Sequence, residues 1–186
     1  MSGGGCPLYD KSTSMPHLPR VRQRAVFFDR DGTLNVDVHY LHDPKDFQWT
    51  PDAPEAVKYV NDAGFLAIVI TNQSGVARGY FPESDVLRIH DCMNADLKEI
   101  GARLDALYYC PHHPQGSVPA YTKDCDCRKP KPGLVLRAIE EHDIDPARSV
   151  LIGDGGRDIE CAQRAGVKGI KYEGGSLLDV VKNAIR

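Results

Sequence analysis

The run Ala25-Val26-Phe27-Phe28-Asp29-Arg30-Asp31-Gly32-Thr33 constrains the fold of this chain more than any other stretch, because four apolar residues end abruptly in two carboxylates one residue apart. An apolar run bounded in this way reads as a buried strand, and open parallel sheets take their ligands outside the carboxyl ends of their strands. Asp29 and Asp31 would then stand in a crevice, with Gly32 turning the chain. An Asp-Gly turn after a strand is also common with no chemistry attached, so the stretch by itself supports a site and a plain turn alike.

The remainder repeats the pattern. Residues 65–70 form a second apolar run that ends in Thr71-Asn72-Gln73-Ser74-Gly75; 104–109 reads as a third, short strand, 149–154 as a strand ending in Asp154, and 169–172 as a fifth. Helical spacing of apolar residues marks 52–63, 83–101, 133–142, 158–165 and 176–185, with Gly64 and Gly166 at C-terminal cap positions. Strands separated by helices imply βαβ units. The expected fold class is α/β, a single-domain Rossmann-like parallel sheet with helices on both faces. Residues 1–23, rich in Gly, Ser and Pro, read as a flexible leader, which leaves 24–186 as the folded domain. Two stretches break the rhythm. Residues 35–51 form a long loop near the first strand end, and 110–132 are rich in Cys, His, Pro and Lys. Neither is long enough for a large cap domain.

At 186 residues the chain fits one domain. A net charge of −3 offers no global attraction to nucleic acid or anionic membrane, so any phosphate recognition must be local. No apolar run approaches the roughly 20 residues that cross a bilayer, and no apolar signal-peptide core stands at the start. The chain is expected in the cytoplasm, as a monomer, with neither nucleic acid nor membrane as a partner.

In a parallel sheet the strand ends Asp29-Arg30-Asp31, Thr71-Asn72 and Asp154 converge on one edge, which turn chemistry does not explain. Each part has a physical use in phosphoryl transfer. Asp29 can attack phosphorus, and Asp31 can protonate the leaving alkoxide and then take a proton from water. Asp154, with the Asp29 carboxylate and a backbone carbonyl near Asp31, can hold Mg²⁺. Thr71 can donate to phosphoryl oxygens, and Arg128-Lys129-Pro130-Lys131-Pro132 is the source of positive charge, with Lys129 and Lys131 both candidates.

A second constellation is Cys110-Pro111-His112 followed by Cys125-Asp126-Cys127. Three thiols and an imidazole in two short pairs suit a closed tetrahedral Zn²⁺ site, structural because four protein ligands leave no open position. His113 is the rival to His112. Arg128 and Lys129 follow Cys127 directly, so such a metal would fix the backbone that presents both cations. Cys6, Cys92, Cys161, His17, His90 and His142 have no partner at ligand spacing and take ordinary structural readings.

These residues resemble, in order, the motifs of the haloacid dehalogenase-like (HAD-like) phosphatases: Asp29-Arg30-Asp31-Gly32-Thr33, Thr71-Asn72, Lys129, and Gly153-Asp154 with Asp158. Thr71-Asn72-Gln73-Ser74-Gly75 and Cys125-Asp126-Cys127-Arg128-Lys129-Pro130 are similar to the branch that holds D-glycero-D-manno-heptose-1,7-bisphosphate 7-phosphatase and histidinol phosphatase. The resemblance covers residues 24–186. It implies Asp29 as nucleophile, Asp31 as general acid and base, Thr71 and Lys129 as stabilisers of the transferring group, and His112 as the imidazole ligand. It also implies a metal shell of Asp29, Asp31 and Asp154. Arg128 resembles a substrate-recognition arginine, and Asp37, Val38, His39, Tyr40, Asn72, Gln73 and Ser74 occupy substrate-contacting stretches. Gly155 departs from the family, which often carries Lys, Ser or Arg after this aspartate. The implied activity is Mg²⁺-dependent removal of the 7-phosphate from a heptose 1,7-bisphosphate through an aspartyl phosphate. Histidinol phosphate hydrolysis is the alternative within the class, and a non-catalytic zinc-stabilised regulator the alternative outside it.

Overall fold

Five segments pair in parallel to make one sheet, apolar and buried at its centre and more polar at the β5 edge. The structure is a computed structural model describing residues 22–186. Strands β1 (Ala25–Phe28), β2 (Leu66–Asn72), β3 (Ala106–Cys110), β4 (Val150–Gly153) and β5 (Lys168–Lys171) lie in the order β3-β2-β1-β4-β5. Helices α1 (Ala53–Asp62), α2 (Glu83–Glu99), α3 (Gly133–Glu141), α4 (Gly156–Arg164) and α5 (Leu177–Ala184) cover it. This is the expected single Rossmann-like sheet with helices on both faces, and the described residues hold no large cap domain.

Alternation along β1 splits the core in two. Val26 and Phe28 pack with Val57 of α1, Met93 of α2 and Val181 of α5. Ala25 and Phe27 pack with Val135 of α3 and Ala162 of α4 on the opposite face. A strand buried on both sides has no position for a polar residue, which is why its sequence runs apolar without interruption. Truncating Phe27 or Phe28, both fully buried, would cost about 3–5 kcal/mol.

The chain moves outward through β2 to β3, then returns to place β4 on the other side of β1. The strand order therefore reverses between β1 and β4, and the crevice beyond their carboxyl ends is the place such sheets keep for ligands.

Several boundaries differ from the sequence reading. Strand β2 continues through Thr71 and Asn72, because these pair with Tyr109 and Cys110 of β3. Helix α4 begins at Gly156 and not at Asp158, since the Asp158 carboxylate accepts the Gly155 N–H at 3.0 Å and so caps a helix already under way. Arg22 and Gln23 of the expected leader fall among the described residues, and the Gln23 N–H donates to Asp143 O at 2.9 Å. The rest of the proposed leader, residues 1–21 with Cys6 and His17, lies outside the described residues.

The long loop after β1 is anchored at its far end. Trp49 Nε1 donates to Asp96 Oδ2 of α2 at 3.1 Å, and Trp49 packs edge-on against Phe47. Residues 37–40 are left exposed at the mouth of the crevice.

Candidate active site

Strand β1 delivers Asp29 to the crevice floor, where its N–H continues the sheet by donating to Ile152 O at 2.9 Å. The side chain is buried, 5 % exposed. Lys129, 2 % exposed, enters from the segment before α3. Its Nζ lies 2.8 Å from Asp29 Oδ1 and 2.7 Å from Asp158 Oδ1, and donates to Ile70 O at 2.8 Å. Burial pushes the Asp29 carboxyl up to about 6, against the pull of Lys129. Burial also works against the Lys129 ammonium, but Asp29 and Asp158 outweigh it and hold its pKa above the usual lysine value.

One ammonium does not neutralise this floor. Asp29, Asp154 and Asp158 each offer a carboxylate oxygen within 4.8 Å of the others. Asp154 Oδ1 is buried without a hydrogen-bond partner, and burial with the nearby Asp158 charge raises its pKa. An orphaned buried oxygen among three carboxylates fits a hard divalent cation bound through oxygen. Gly32 makes the approach possible: its φ is +81°, and a Cβ there would lie 2.4 Å from Asp154 Oδ2.

Asp31 is held differently. Arg30, 1 % exposed, grips it through Nη2 at 3.1 and 3.0 Å and Nε at 3.2 Å. Asn35 Nδ2 donates to Asp31 Oδ1 at 3.1 Å, and Gln73 Nε2 reaches both Asp31 Oδ2 and Thr71 Oγ1 at 2.8 Å. The Asp31 carboxylate is thus held by Arg30, Asn35 and Gln73 and is not among the three carboxylates that gather beside Asp29. Sequence reading gave Arg30 no role. A charged residue at the end of a fully apolar strand, between two acids, was the available signal.

The lysine segment is fixed at both ends. Asn72 Oδ1 accepts the Lys129 N–H at 3.0 Å, and Asn72 Nδ2 donates to Lys129 O at 3.1 Å. Just upstream, Cys110, His112, Cys125 and Cys127 gather their ligand atoms. The Sγ–Sγ separations are 3.5 Å for Cys110–Cys125, 3.2 Å for Cys110–Cys127 and 3.3 Å for Cys125–Cys127, and His112 Nδ1 is 3.3 Å from Cys127 Sγ. These spacings suit one tetrahedral metal ion bound by sulfur and nitrogen. The close Cys110 thiol and burial act in opposite directions on Cys127, with the net pKa down to about 5. His113 lies outside the group and meets Arg78 instead. Lys131 is also elsewhere, paired with Asp124 at the surface.

A cavity of about 260 Å³ opens above Asp29 and Asp31. Thr71 lines it, together with Asn72, Gln73, Ser74, Asp37, His39, Tyr40 and Arg128 from the stretches expected to contact substrate. Val38 is exposed and is not part of the lining. Arg157 lines it too, a residue no motif had marked, since it sits two places beyond the departing Gly155. His39 and Tyr40 are both in the left-handed region, with φ of 57° and 59°, and Tyr40 stacks edge-on with Tyr80. Consecutive non-glycine residues in that conformation store strain at the mouth of the cavity. Burial, with the positive charges of Arg157 and Arg78, lowers the Arg128 pKa.

Comparison with known proteins agrees with this geometry. Residues 126–179 match the family model described as HAD-hydrolase-like. The chain is 43% identical over 173 residues to D-glycero-beta-D-manno-heptose-1,7-bisphosphate 7-phosphatase of Haemophilus ducreyi, covering 88% of this chain and 94% of the relative. It is 45% identical over 146 residues to the enzyme of the same name from Pasteurella multocida, covering 78% and 79%. Among solved structures, D,D-heptose 1,7-bisphosphate phosphatase from B. bronchiseptica, complexed with magnesium and phosphate, superposes with a TM-score of 0.76 at 28% identity, covering 88% of this chain and 98% of that one. No helix among the described residues is long and apolar enough to cross a membrane. The crevice of carboxylates, the lysine between them and the extent of these matches lead to one assignment: the chain belongs to the heptose-1,7-bisphosphate 7-phosphatase family of HAD-like hydrolases.

Proposed function

We propose that this protein is a phosphomonoesterase that removes the 7-phosphate from D-glycero-D-manno-heptose 1,7-bisphosphate. The observation that carries the reading is the buried Asp29 carboxylate at the cavity floor, facing Lys129 at 2.8 Å with Asp154 and Asp158 beside it. Asp29 attacks phosphorus and forms an aspartyl phosphate, while the bond to the sugar oxygen breaks and that oxygen takes a proton from Asp31. Asp31 then removes a proton from water, whose oxygen attacks the aspartyl phosphate, releasing inorganic phosphate and restoring Asp29. Lys129 and Thr71 hold the equatorial oxygens as charge develops on them. Arg30 and Gln73 keep Asp31 aimed at the leaving group.

Asp29, Asp154 and the Asp31 carbonyl would hold Mg²⁺. When bound, that ion screens the carboxylates from the phosphate dianion and polarises its oxygens. The Cys110, His112, Cys125 and Cys127 group is read as a structural Zn²⁺ site, because soft thiolates with one imidazole select zinc over harder cations. The free Cys92 and Cys161 thiols outside this group suit an enzyme of the cytoplasm.

The test is phosphate release by purified protein with Mg²⁺ from both anomers of the heptose bisphosphate and from histidinol phosphate. Preferential turnover of a heptose bisphosphate is the expected result. Preference for histidinol phosphate would replace the substrate assignment, and folded, metal-loaded protein inert toward all three would refute it.

A further inference from the structure

Gly155 leaves the position after Asp154 without a side chain, yet the rim of the cavity there is not uncharged. Arg157, in the first turn of α4, lines it alongside Arg128, which arrives from the segment after Cys127. Arg128 is partly anchored, Nη1 donating to His112 O at 3.3 Å. Neither guanidinium forms an ion pair with a carboxylate among the described residues. The positive charge of Arg157 is felt at both Arg128 and Asp154, and Arg157 and Arg128 line the same cavity as Asp29 and Asp31. Two guanidiniums that line one cavity with neither held in an ion pair are free to meet an anion carried by the ligand. At the floor, Lys129 and Thr71 would serve the transferred phosphate separately.

We propose that Arg157, together with Arg128, binds the phosphate of the bisphosphate that is not transferred, and that Arg157 is the specificity-determining residue supplying the cation that Gly155 cannot. This rests on the bisphosphate reading above. A guanidinium presents paired N–H donors that match phosphate oxygens, and a partly exposed rim position lets it close on a ligand without disturbing the buried floor. The plain alternative is that Arg157 only balances Asp154, in which case it would serve every phosphate ester alike.

The experiment compares kcat and KM for the heptose 1,7-bisphosphate with those for the matching heptose 7-phosphate, in the wild type, Arg157→Gln and Arg157→Lys, all with Mg²⁺. The expected result is that Arg157→Gln reduces the bisphosphate-to-monophosphate ratio of kcat/KM by roughly tenfold or more, the worth of a charge-assisted phosphate contact. The loss should sit in KM for the bisphosphate, with partial recovery in Arg157→Lys. Equal losses on both substrates would overturn the inference and return Arg157 to the floor. A strong wild-type preference for the bisphosphate that survives in Arg157→Gln would overturn it alone, leaving the phosphatase reading intact. A wild type that turns over neither compound would overturn both.

Discussion

Lys129 Nζ lies 2.8 Å from Asp29 Oδ1 and 2.7 Å from Asp158 Oδ1, so a single buried ammonium bridges the carboxylate that ends β1 and the one that caps α4. Replacing Lys129 by Met removes the bridge and leaves two carboxylates unpaired in a buried site. Loss of one partner of such a group costs about 3–5 kcal/mol, and loss of an electrostatic stabiliser lowers kcat by about 10²–10³. Both a depressed thermal midpoint and a fall in kcat are expected, measured by calorimetry and by phosphate release. Unchanged stability would show that the bridge contributes little to the fold.

Asp29→Asn keeps the shape of the side chain while removing the charge that attacks phosphorus. Turnover should be abolished and the fold retained, because the amide can still accept from the Arg30 N–H that donates to Asp29 Oδ1 at 2.7 Å. Acid quench of the wild type during turnover should trap phosphate on the protein, and the same experiment on Asp29→Asn should trap none. Labelling of the variant would move the nucleophile elsewhere.

Gly32→Ala tests the close approach between the first strand end and Asp154. The new methyl would fall 2.4 Å from Asp154 Oδ2 in a backbone with φ of +81°. Conformational strain alone should cost about 1–3 kcal/mol, and displacement of Asp154 should raise the Mg²⁺ concentration needed for half-maximal rate. A magnesium titration of activity reads the second effect independently of the first.

Cys125→Ser opens the sulfur and nitrogen cluster. We expect metal content, measured by elemental analysis, to drop below one zinc per chain and the thermal midpoint to fall by roughly 5 °C or more. Activity should fall with it, because the chain runs from Cys127 directly into Arg128 and Lys129. Full zinc retention with an unchanged midpoint would contradict this structural role.

Much of this site was legible along the chain because parallel strands announce themselves as uninterrupted apolar runs, and a polar residue at the end of each marks the sheet edge where ligands bind. Asp29, Thr71 and Asp154 could be found that way. The Cys and His spacing was legible for a similar reason: paired ligands at two-residue separation are a local pattern. Arg30 and Arg157 were harder, and Asp158, though part of a family motif, carried no stated role. Arg30 is nearly inaccessible at the end of a strand, Asp158 has its two partners at Gly155 and Lys129, and Arg157 matches no motif at all.

The sequence by itself determined the architecture and the kinds of group at the strand ends, since burial and alternation are properties of neighbouring residues. Only the tertiary structure decided between Lys129 and Lys131, placing the first between two carboxylates and the second at the surface with Asp124. It likewise turned the Asp31 carboxylate toward Arg30 and Gln73, away from Asp154, and brought Arg157 to the rim beside Arg128. Each of these choices depends on which segments the strand order β3-β2-β1-β4-β5 sets side by side. Two lysines separated by one proline look alike in one dimension, and only the buried charge of the floor distinguishes them in three.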